Sequence, residues 1–376
     1  MTTARADEAT RVALAWSRMP GLSPRRFWKL HEAAGGWRGL IGADPLPLVP
    51  AARSEALARA ATRPFDVDVT GDLAEARRAG VAILNPFEGP YPPLLREIPD
   101  PPLVLYAAGD LGRLMLPAVG IVGARAATHY GREVCGEIAG HLSQAGVCVV
   151  SGMARGIDAA AHAAALGNAG GTIAVLGSGV DVIYPPENRR LAGRIAEAGA
   201  VVSQFAPGTR PLPYHFPERN RVIAGLALAV VVVEAAEKSG ALITAGFAAE
   251  LGREVLAIPG RVNSPESRGA HRLIQDGAAL VQDADEVIAA LPARWQACVR
   301  GATGGDTQDG AVPATHGEGG DGGRVLAALG EDPMTIDDVI ERSGVAAGRA
   351  TALLLELELA GQVRQLDGKR FARAAG

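Results

Sequence analysis

The segment Val147-Cys-Val-Val-Ser-Gly-Met-Ala-Arg-Gly-Ile-Asp158 decides the fold. A valine-rich run is followed at once by glycines and Arg155, and then by an alanine-rich helical pattern. This order predicts a buried strand, a glycine turn and a helix. Glycines let the backbone approach an oxygen-rich ligand, and the N–H groups at a helix start favour an anion. Arg155 adds a charge suited to paired hydrogen bonds with phosphate.

The same construction recurs at three further predicted strand ends. They read Val119-Gly-Ile-Val-Gly-Ala-Arg125, Ile173-Ala-Val-Leu-Gly-Ser-Gly179, and Val230-Val-Val-Val-Glu234 leading into Lys238-Ser-Gly240 and an apolar helix with Thr244. Glycine or serine thus stands at each strand end, and three of the four also offer arginine or lysine. The shared chemistry is that of phosphate binding.

Composition limits the possible functions. The chain has 376 residues, 48% of them hydrophobic, and a net charge of −4. No diffuse basic surface is expected, so nucleic-acid binding requires a local patch. The sequence has no apolar signal core and no apolar run of about 18 residues, which predicts a cytoplasmic protein without a membrane span. Cys135, Cys148 and Cys298 are far apart and odd in number, which favours reduced core residues over a disulfide or a metal site.

From Asp72 to about Pro292, apolar strand-like runs alternate with helical patterns. Strands are predicted at 81–84, 103–106, 118–122, 147–151, 172–176, 200–204, 228–233, 254–258 and 279–281. Apolar strands joined by helices predict a parallel sheet covered on both faces, which is an extended Rossmann-like, doubly wound α/β fold. Ligands of such sheets bind at the carboxyl ends of the strands, so the glycine and arginine clusters are expected to converge.

Four segments are predicted: a helical module at 1–70, the Rossmann-like domain at 71–296, a glycine-rich flexible linker at 297–323, and a winged helix at 324–376. In the first, Met19-Pro-Gly-Leu-Ser-Pro24 between two helices resembles the hairpin of helix–hairpin–helix and SAM-like modules. That hairpin serves either packing and partner binding or contact with a DNA phosphate.

The winged helix is predicted from three helical segments and a hairpin at 362–371 that turns at Asp-Gly. Its second helix begins with Thr335-Ile-Asp-Asp, an N-cap followed by acids. The third helix carries Arg349 almost alone among leucines, with Glu356 and Glu358 opposing phosphate. Protein interaction and DNA binding therefore both stay open for this module.

Two nucleotide-binding fingerprints are absent from the sequence. Gly120 and Gly123 stand three apart, and Gly177-Ser-Gly179 is followed by Val182 where the dinucleotide fingerprint needs its last glycine. Lys238-Ser239 lacks the preceding glycine of a P-loop.

A hydrolytic triad of Ser151, His162 and Asp158 is also conceivable, but the serine has no Gly-x-Ser-x-Gly elbow. Asp158 is better suited to orienting the glycine loop, with Arg155 as one possible partner.

The segment His215-Phe-Pro-Glu-Arg-Asn-Arg221 combines two arginines with an amide at a helix start, which suits a phosphate or a base. The alternative is that Arg219 and Arg221 form ion pairs within the fold, with Glu218, Glu234 or Asp158 as partners. Aromatic side chains for base stacking stand nearby at Tyr214, Phe216 and Phe247.

Together these blocks resemble the bacterial DNA-processing protein A (DprA/Smf) family. The matching blocks are Ile121-Val-Gly-Ala-Arg125, Ser151-Gly-Met-Ala-Arg-Gly-Ile-Asp158, Gly177-Ser-Gly-Val-Asp181, Phe216-Pro-Glu-Arg-Asn-Arg-Val-Ile-Ala-Gly225, Glu234-Ala-Ala-Glu-Lys-Ser-Gly-Ala-Leu-Ile-Thr-Ala245 and Ala257-Ile-Pro-Gly260. The chain departs from the family at His271, where asparagine is usual, and at Ala227, where serine is common.

The resemblance implies a non-enzymatic protein that binds single-stranded DNA, protects incoming strands and loads the recombinase RecA onto them during natural transformation. It implies a homodimer formed through the Rossmann-like domain. No cofactor is expected, and no cluster of metal ligands is apparent in the sequence. The DNA-binding residues that it implies are Gly123, Arg125, Ser151, Gly152, Arg155, Gly156, Asn220, Arg221, Lys238, Ser239, Gly240 and Thr244.

The competing class is a nucleotide-binding or nucleotide-hydrolysing enzyme of the related Rossmann-like group. That group carries Pro-Gly-Gly-x-Gly-Thr and a catalytic acid, whereas this chain has Lys238-Ser-Gly-Ala-Leu-Ile-Thr244 in that place. Glu250 could stand in for the acid. A regulator that binds a free nucleotide is the third class left open.

Overall fold

A computed structural model describes residues 2–296, 299, 321–329, 334–345, 350, 353–354, 357, 363–366 and 370–373. The chain divides into two compact units, Met1–Thr303 and Gly304–Gly376. Cys298, Arg349 and the predicted Asp-Gly turn of the wing lie outside the described residues. In the part of the chain that the structure covers, no helix is both long and apolar enough to span a membrane.

The first unit contains a nine-stranded sheet in the order β1-β2-β6-β5-β4-β3-β7-β8-β9. Its strands are β1 Ala82–Leu84, β2 Leu105–Gly109, β3 Ala118–Val122, β4 Cys148–Ser151, β5 Thr172–Val175, β6 Ala200–Ser203, β7 Ala229–Val232, β8 Glu254–Ala257 and β9 Ala279–Leu280. The predicted Rossmann-like α/β class is confirmed.

One feature of the predicted sheet is wrong. The seven strands that follow one another in the sheet as β6-β5-β4-β3-β7-β8-β9 are parallel. By contrast, β1 and β2 run antiparallel to each other, and β2 runs antiparallel to β6. An apolar strand has the same residue pattern in either direction, so its sequence does not fix its orientation. Strand β2 also begins at Leu105 instead of residue 103 and extends through Ala107 and Ala108 to Gly109, small residues with little β propensity.

Fourteen α-helices of the first unit have both of their ends within the described residues. They are α1 Thr2–Arg18, α2 Pro24–Ala33, α3 Trp37–Leu40, α4 Val49–Ala52, α5 Glu55–Ala61, α6 Thr70–Arg78, α7 Pro93–Arg96, α8 His129–Gln144, α9 Ile157–Ala165, α10 Arg189–Ala198, α11 His215–Leu226, α12 Gly240–Glu250, α13 Arg268–Gln275 and α14 Ala284–Ala290.

The strands are apolar throughout because helices cover both faces of the sheet. Successive residues of β3 alternate between two cores: Val119 and Ile121 pack with α8, α9 and α14, whereas Ala118 and Val122 pack with α11 and α12. The carboxyl ends of the parallel strands lie at one edge of the sheet, where ligands of this fold class bind.

The N-terminal helices pack onto this sheet domain. Trp16 is fully buried and donates a hydrogen bond from Nε1 to the carbonyl oxygen of Ala61, 2.8 Å away. The core around Trp16 and Phe27 continues into Met153 and Leu176 of the sheet domain. The predicted helical N-terminal segment is thus part of the same compact unit.

The described part of the second unit has the elements of a winged helix. Helices α15 Asp321–Ala328 and α16 Ile336–Ser343 accompany a three-stranded antiparallel sheet of β10 Met334–Thr335, β11 Val363–Leu366 and β12 Arg370–Arg373. The Thr335 hydroxyl caps α16, and the Asp338 carboxylate accepts a reciprocal hydrogen bond from the Thr335 amide at 3.0 Å.

Candidate nucleic-acid interface

A cleft opens where β3, β4 and β7 end, between the starts of α11 and α12; we call it the main cleft. Of the predicted site residues, it is lined by Gly123, Arg125, Asn220, Lys238, Ser239, Gly240 and Thr244. A smaller adjoining recess, the side chamber, adds Gly152 and Arg155. The two spaces share the side chains of Arg125, Phe216 and Arg219, so they form one continuous basic site.

The loop after β3 carries Arg125 and rests on Gly156. Gly156 has φ +72°, a conformation that disfavours side chains, and a Cβ there would overlap the Ala124 carbonyl oxygen. The Ile157 amide, next in the chain, donates to the same oxygen at 3.2 Å. Gly156 therefore supports the Arg125 loop from behind and does not line the cleft.

Glu234, at the end of β7, holds the other side of that loop. Its buried carboxylate accepts hydrogen bonds from the Thr128 amide at 2.9 Å and from the Thr128 hydroxyl at 2.6 Å. Thr128 in turn caps α8 by accepting a hydrogen bond from the Gly131 amide. The strand end, the arginine loop and the helix start are thereby tied into one rigid support.

Arg219 is the most enclosed cation of the site. Its side chain lines both spaces although the residue is 95% buried, and Nη1 donates to the Val175 carbonyl at 3.1 Å. Nε has no hydrogen-bond partner among the described residues. Burial lowers the pKa of Arg219 to about 10, which leaves the guanidinium charged at neutral pH.

Asp158 lies beside Arg219 at the start of α9. Burial raises the pKa of its carboxyl, while the charge of Arg219 and a hydrogen bond from the Ala154 amide oppose that rise. The carboxyl thus compensates part of the Arg219 charge. Arg125, by contrast, has no carboxylate within ion-pairing distance among the described residues, and neither does Lys238.

Phe216 provides a partly exposed aromatic ring that lies near both cleft arginines. The guanidinium of Arg125 lies 5.7 Å from the ring centroid and that of Arg219 lies 5.9 Å from it. The Tyr184 ring follows at 5.9 Å and is 43% exposed. Positive charges and aromatic rings are therefore adjacent, as in sites that bind the phosphates and bases of single-stranded nucleic acids.

The start of α12 forms the opposite wall. The Ser239 hydroxyl caps the helix by accepting a hydrogen bond from the Ala241 amide at 3.3 Å, and Asn220 donates from Nδ2 to the Gly240 carbonyl at 3.3 Å. Lys238 is exposed and Thr244 is buried. A helix start next to a lysine is a favourable place for an anion.

Besides Gly156, two more residues that the resemblance implied are not part of the cleft lining. The Ser151 hydroxyl is buried and donates to the Ile121 carbonyl at 2.6 Å. Arg221 forms an ion pair with Asp100 and lies 3.7 Å from the Glu250 carboxylate. Arg221 thus forms ion pairs within the fold, as the alternative interpretation of the sequence expected, but its partners are Asp100 and Glu250 and not the acids named there.

The conceivable hydrolytic triad is not poised for reaction. His162 is buried with Nδ1 at 2.7 Å from the Thr172 hydroxyl, and burial lowers its pKa to about 3. The Ser151 hydroxyl proton is engaged by a carbonyl oxygen, so this imidazole does not accept it.

The DNA-binding residues that the resemblance implied do not include Arg219 and Glu234, although the sequence places Arg219 in a segment suited to a phosphate or a base. A helical signal for Arg219 exists, because Phe216, Arg219 and Ile223 follow at spacings of three and four and all line the cleft. For Glu234 no local signal exists, since its partner Thr128 is 106 residues away in sequence.

Comparison with known proteins gives consistent matches. The family described as DNA recombination-mediator protein A matches residues 82–292, and the DprA winged-helix domain matches residues 310–369. The protein Smf of Synechocystis is 35% identical over 96% of this chain and 98% of its own.

Two solved structures are also similar. DNA processing protein A of Streptococcus pneumoniae has a TM-score of 0.66 and 37% identity, and the match covers 75% of this chain and 98% of that one. DNA processing protein A of Helicobacter pylori, described with a single-stranded DNA binding mode, has a TM-score of 0.51 and 30% identity over 55% of this chain and 93% of that one.

Proposed function

This chain belongs to the DNA-processing protein A (DprA/Smf) family, and we propose that it binds single-stranded DNA in the main cleft and the side chamber. The observation that carries the proposal is the meeting of Arg125, Arg219 and Lys238 in one cleft with a helix start and a partly exposed Phe216 ring. Together, these groups can bind the phosphate and the base of a nucleotide.

Electrostatics supports an anionic ligand. Arg125 and Arg219 share one aromatic ring, and the charge of Arg125 contributes to lowering the pKa of Arg219. A phosphate between them would relieve this repulsion and would complete the hydrogen bonds of the buried guanidinium. We infer that the predicted site residues which line the two spaces contact the strand, and that Arg219 joins them.

Preference for a single strand follows from the aromatic side chains. The ring of Phe216 offers a stacking partner only to a base whose face is not already stacked in a duplex. Phosphate contacts alone would bind both forms.

The direct test is fluorescence anisotropy of labelled oligo-dT and of a matching duplex across a salt series, for the wild type and for Arg125→Ala with Lys238→Ala. We expect strand-selective binding that the double variant loses, with a salt slope flatter by about 1.4, or about 0.7 for each phosphate contact of a single strand. Tight binding unaffected by both substitutions would move DNA contact away from the cleft.

We further propose the finer role that the family resemblance implies: protection of incoming strands and loading of RecA during natural transformation, in the cytoplasm and as a homodimer. RecA-dependent ATP hydrolysis on a strand coated with single-strand-binding protein tests the loading. Addition of this protein should shorten the lag before hydrolysis, and the cleft double variant should not. An unchanged lag with the wild type would contradict the proposal.

The proposed role is non-enzymatic. An assay for base release from nucleoside monophosphates distinguishes this role from the competing hypothesis of a nucleotide-hydrolysing enzyme. Release that stops in a Glu250→Gln variant would favour an enzyme.

A further inference from the structure

An exposed basic surface begins where the side chamber ends. Arg189 and Arg190 open helix α10, and Arg194 follows one turn later; we call these three the α10 arginines. All three are exposed, whereas Ala192 and Ile195 turn the opposite side of the helix into the core. Within the described residues, none of the three has a carboxylate within ion-pairing distance.

The start of α10 is fixed to the loop that lines the side chamber. Asn188, just before the helix, donates from Nδ2 to the carbonyl oxygens of Met153 at 2.8 Å and Ala154 at 3.2 Å. Arg155 pairs with Glu187 in the same place, at 2.6 Å from Nε to Oε1. The start of α10 is therefore anchored to the loop that carries Ala154 and Arg155 of the side chamber, and Pro185 of the chamber lies four residues before Arg189.

The charged residues in the first turn of α10 are unfavourable for helix stability. Cations in the first turn oppose the helix dipole, and α10 has no acid there to offset them. Asn188 makes no side-chain cap for the helix, and its Nδ2 donates to the loop after β4. Such a local conflict is typical of functional positions.

We propose that the α10 arginines bind the backbone of the strand after it leaves the side chamber. The inference rests on the proposed function, because it extends the same DNA-binding site. Three observations favour a nucleic-acid strand as the occupant: the positive charge, the lack of acid partners within the described residues, and the attachment of the helix start to a loop that lines the side chamber. An acidic protein segment is the occupant to be excluded.

The length of the strand separates this surface from the cleft. We would compare oligo-dT of about 6 nucleotides, enough for the cleft alone, with oligo-dT of about 30 nucleotides. The variant is Arg189→Gln, Arg190→Gln and Arg194→Gln in the full chain. The matched control is Arg53→Gln, Arg77→Gln and Arg78→Gln, which removes the same charge from exposed positions in α6 and directly after α4.

We expect the α10 variant to bind the long strand about tenfold more weakly at low salt, with a salt slope flatter by about 2, while the short strand changes less than about twofold. The control should bind both strands as the wild type does.

Three results would overturn the inference: wild-type affinity of the α10 variant for the long strand, equal losses on both strands, or an equal loss in the control. The first would assign the arginines to another partner, such as an acidic segment, and would leave the proposed function intact. A wild type that binds neither strand would overturn both proposals.

Discussion

Gly152 and Arg219 fit together so closely that the guanidinium occupies the place of a side chain at residue 152. A Cβ on Gly152 would overlap Nη1 of Arg219 and would lie 2.8 Å from the Asp158 carboxylate. Gly152 is therefore the residue that admits a buried arginine to the edge of the sheet, where the strand is proposed to bind.

Gly152→Ala should displace Arg219. We expect a loss of about 1–3 kcal/mol in the free energy of unfolding from overpacking, and about tenfold weaker binding of oligo-dT. Urea unfolding and anisotropy measure the two effects. Gly136→Ala is the control, because this helical glycine has open space around it and the substitution should be neutral or stabilising by up to about 1 kcal/mol. Unchanged DNA binding in folded Gly152→Ala would separate Arg219 from recognition.

Glu234→Ala should loosen the Arg125 loop. The substitution leaves two Thr128 donors without their acceptor, which costs about 1–3 kcal/mol of stability, and it should weaken oligo-dT binding as well. Glu237→Ala, an exposed neighbour with a weak 3.8 Å ion pair, should stay within about 0.5 kcal/mol of the wild type. Lower stability with wild-type affinity would mean that the loop holds its position without Glu234.

The buried cysteines should be unreactive in the native protein. Burial raises the pKa of Cys135 and of Cys148 to about 12, so their thiolate fraction at pH 8 is ~10⁻⁴. In a Cys298→Ser variant we expect Ellman's reagent to label two thiols after unfolding and none rapidly before it. Rapid native labelling would show that one of them is accessible.

The same thiols predict the direction of a pH effect. The folded-state pKa lies above the ordinary value of 9.0, so the native state keeps protons that the unfolded state releases. Their contribution to stability is complete below about pH 9 and is lost as the pH rises towards 12. Urea unfolding at several alkaline pH values should show a steeper decline for the wild type than for Cys148→Ala.

Removing the first-turn cations of α10 should stabilise the protein. Arg189→Gln with Arg190→Gln is expected to raise the free energy of unfolding by about 0.3–1 kcal/mol per charge, because these cations oppose the helix dipole. Arg194→Gln lies beyond the first turn and should change stability less. A loss of stability on removing the first pair would mean that these arginines support the fold.

The sequence was sufficient for the parallel part of the fold. Valine-rich runs such as 147–150, followed directly by serine and glycine, and 230–233, followed at a short distance by Lys238-Ser-Gly240, predict strands that end at one edge of a sheet, and the clusters after them do meet in the main cleft. The antiparallel direction of β1 and β2 could not be predicted from the sequence, because a short apolar run has the same residue pattern in both orientations.

The choice between Arg219 and Arg221 also needed the structure. Two residues apart on a helix, they project to nearly opposite sides, so only one faces the cleft. The decision depends on Asp100, more than a hundred residues earlier, whose carboxylate pairs with Arg221. The residues around Arg221 in the sequence do not predict that contact.

The most direct test of the proposed site compares Arg219→Gln with Arg221→Gln in salt-dependent binding of oligo-dT, with thermal melts to verify folding. We predict that Arg219→Gln binds about tenfold more weakly with a salt slope flatter by about 0.7, and that Arg221→Gln binds within about twofold of the wild type. Loss of binding in Arg221→Gln with wild-type affinity in folded Arg219→Gln would contradict the proposed cleft.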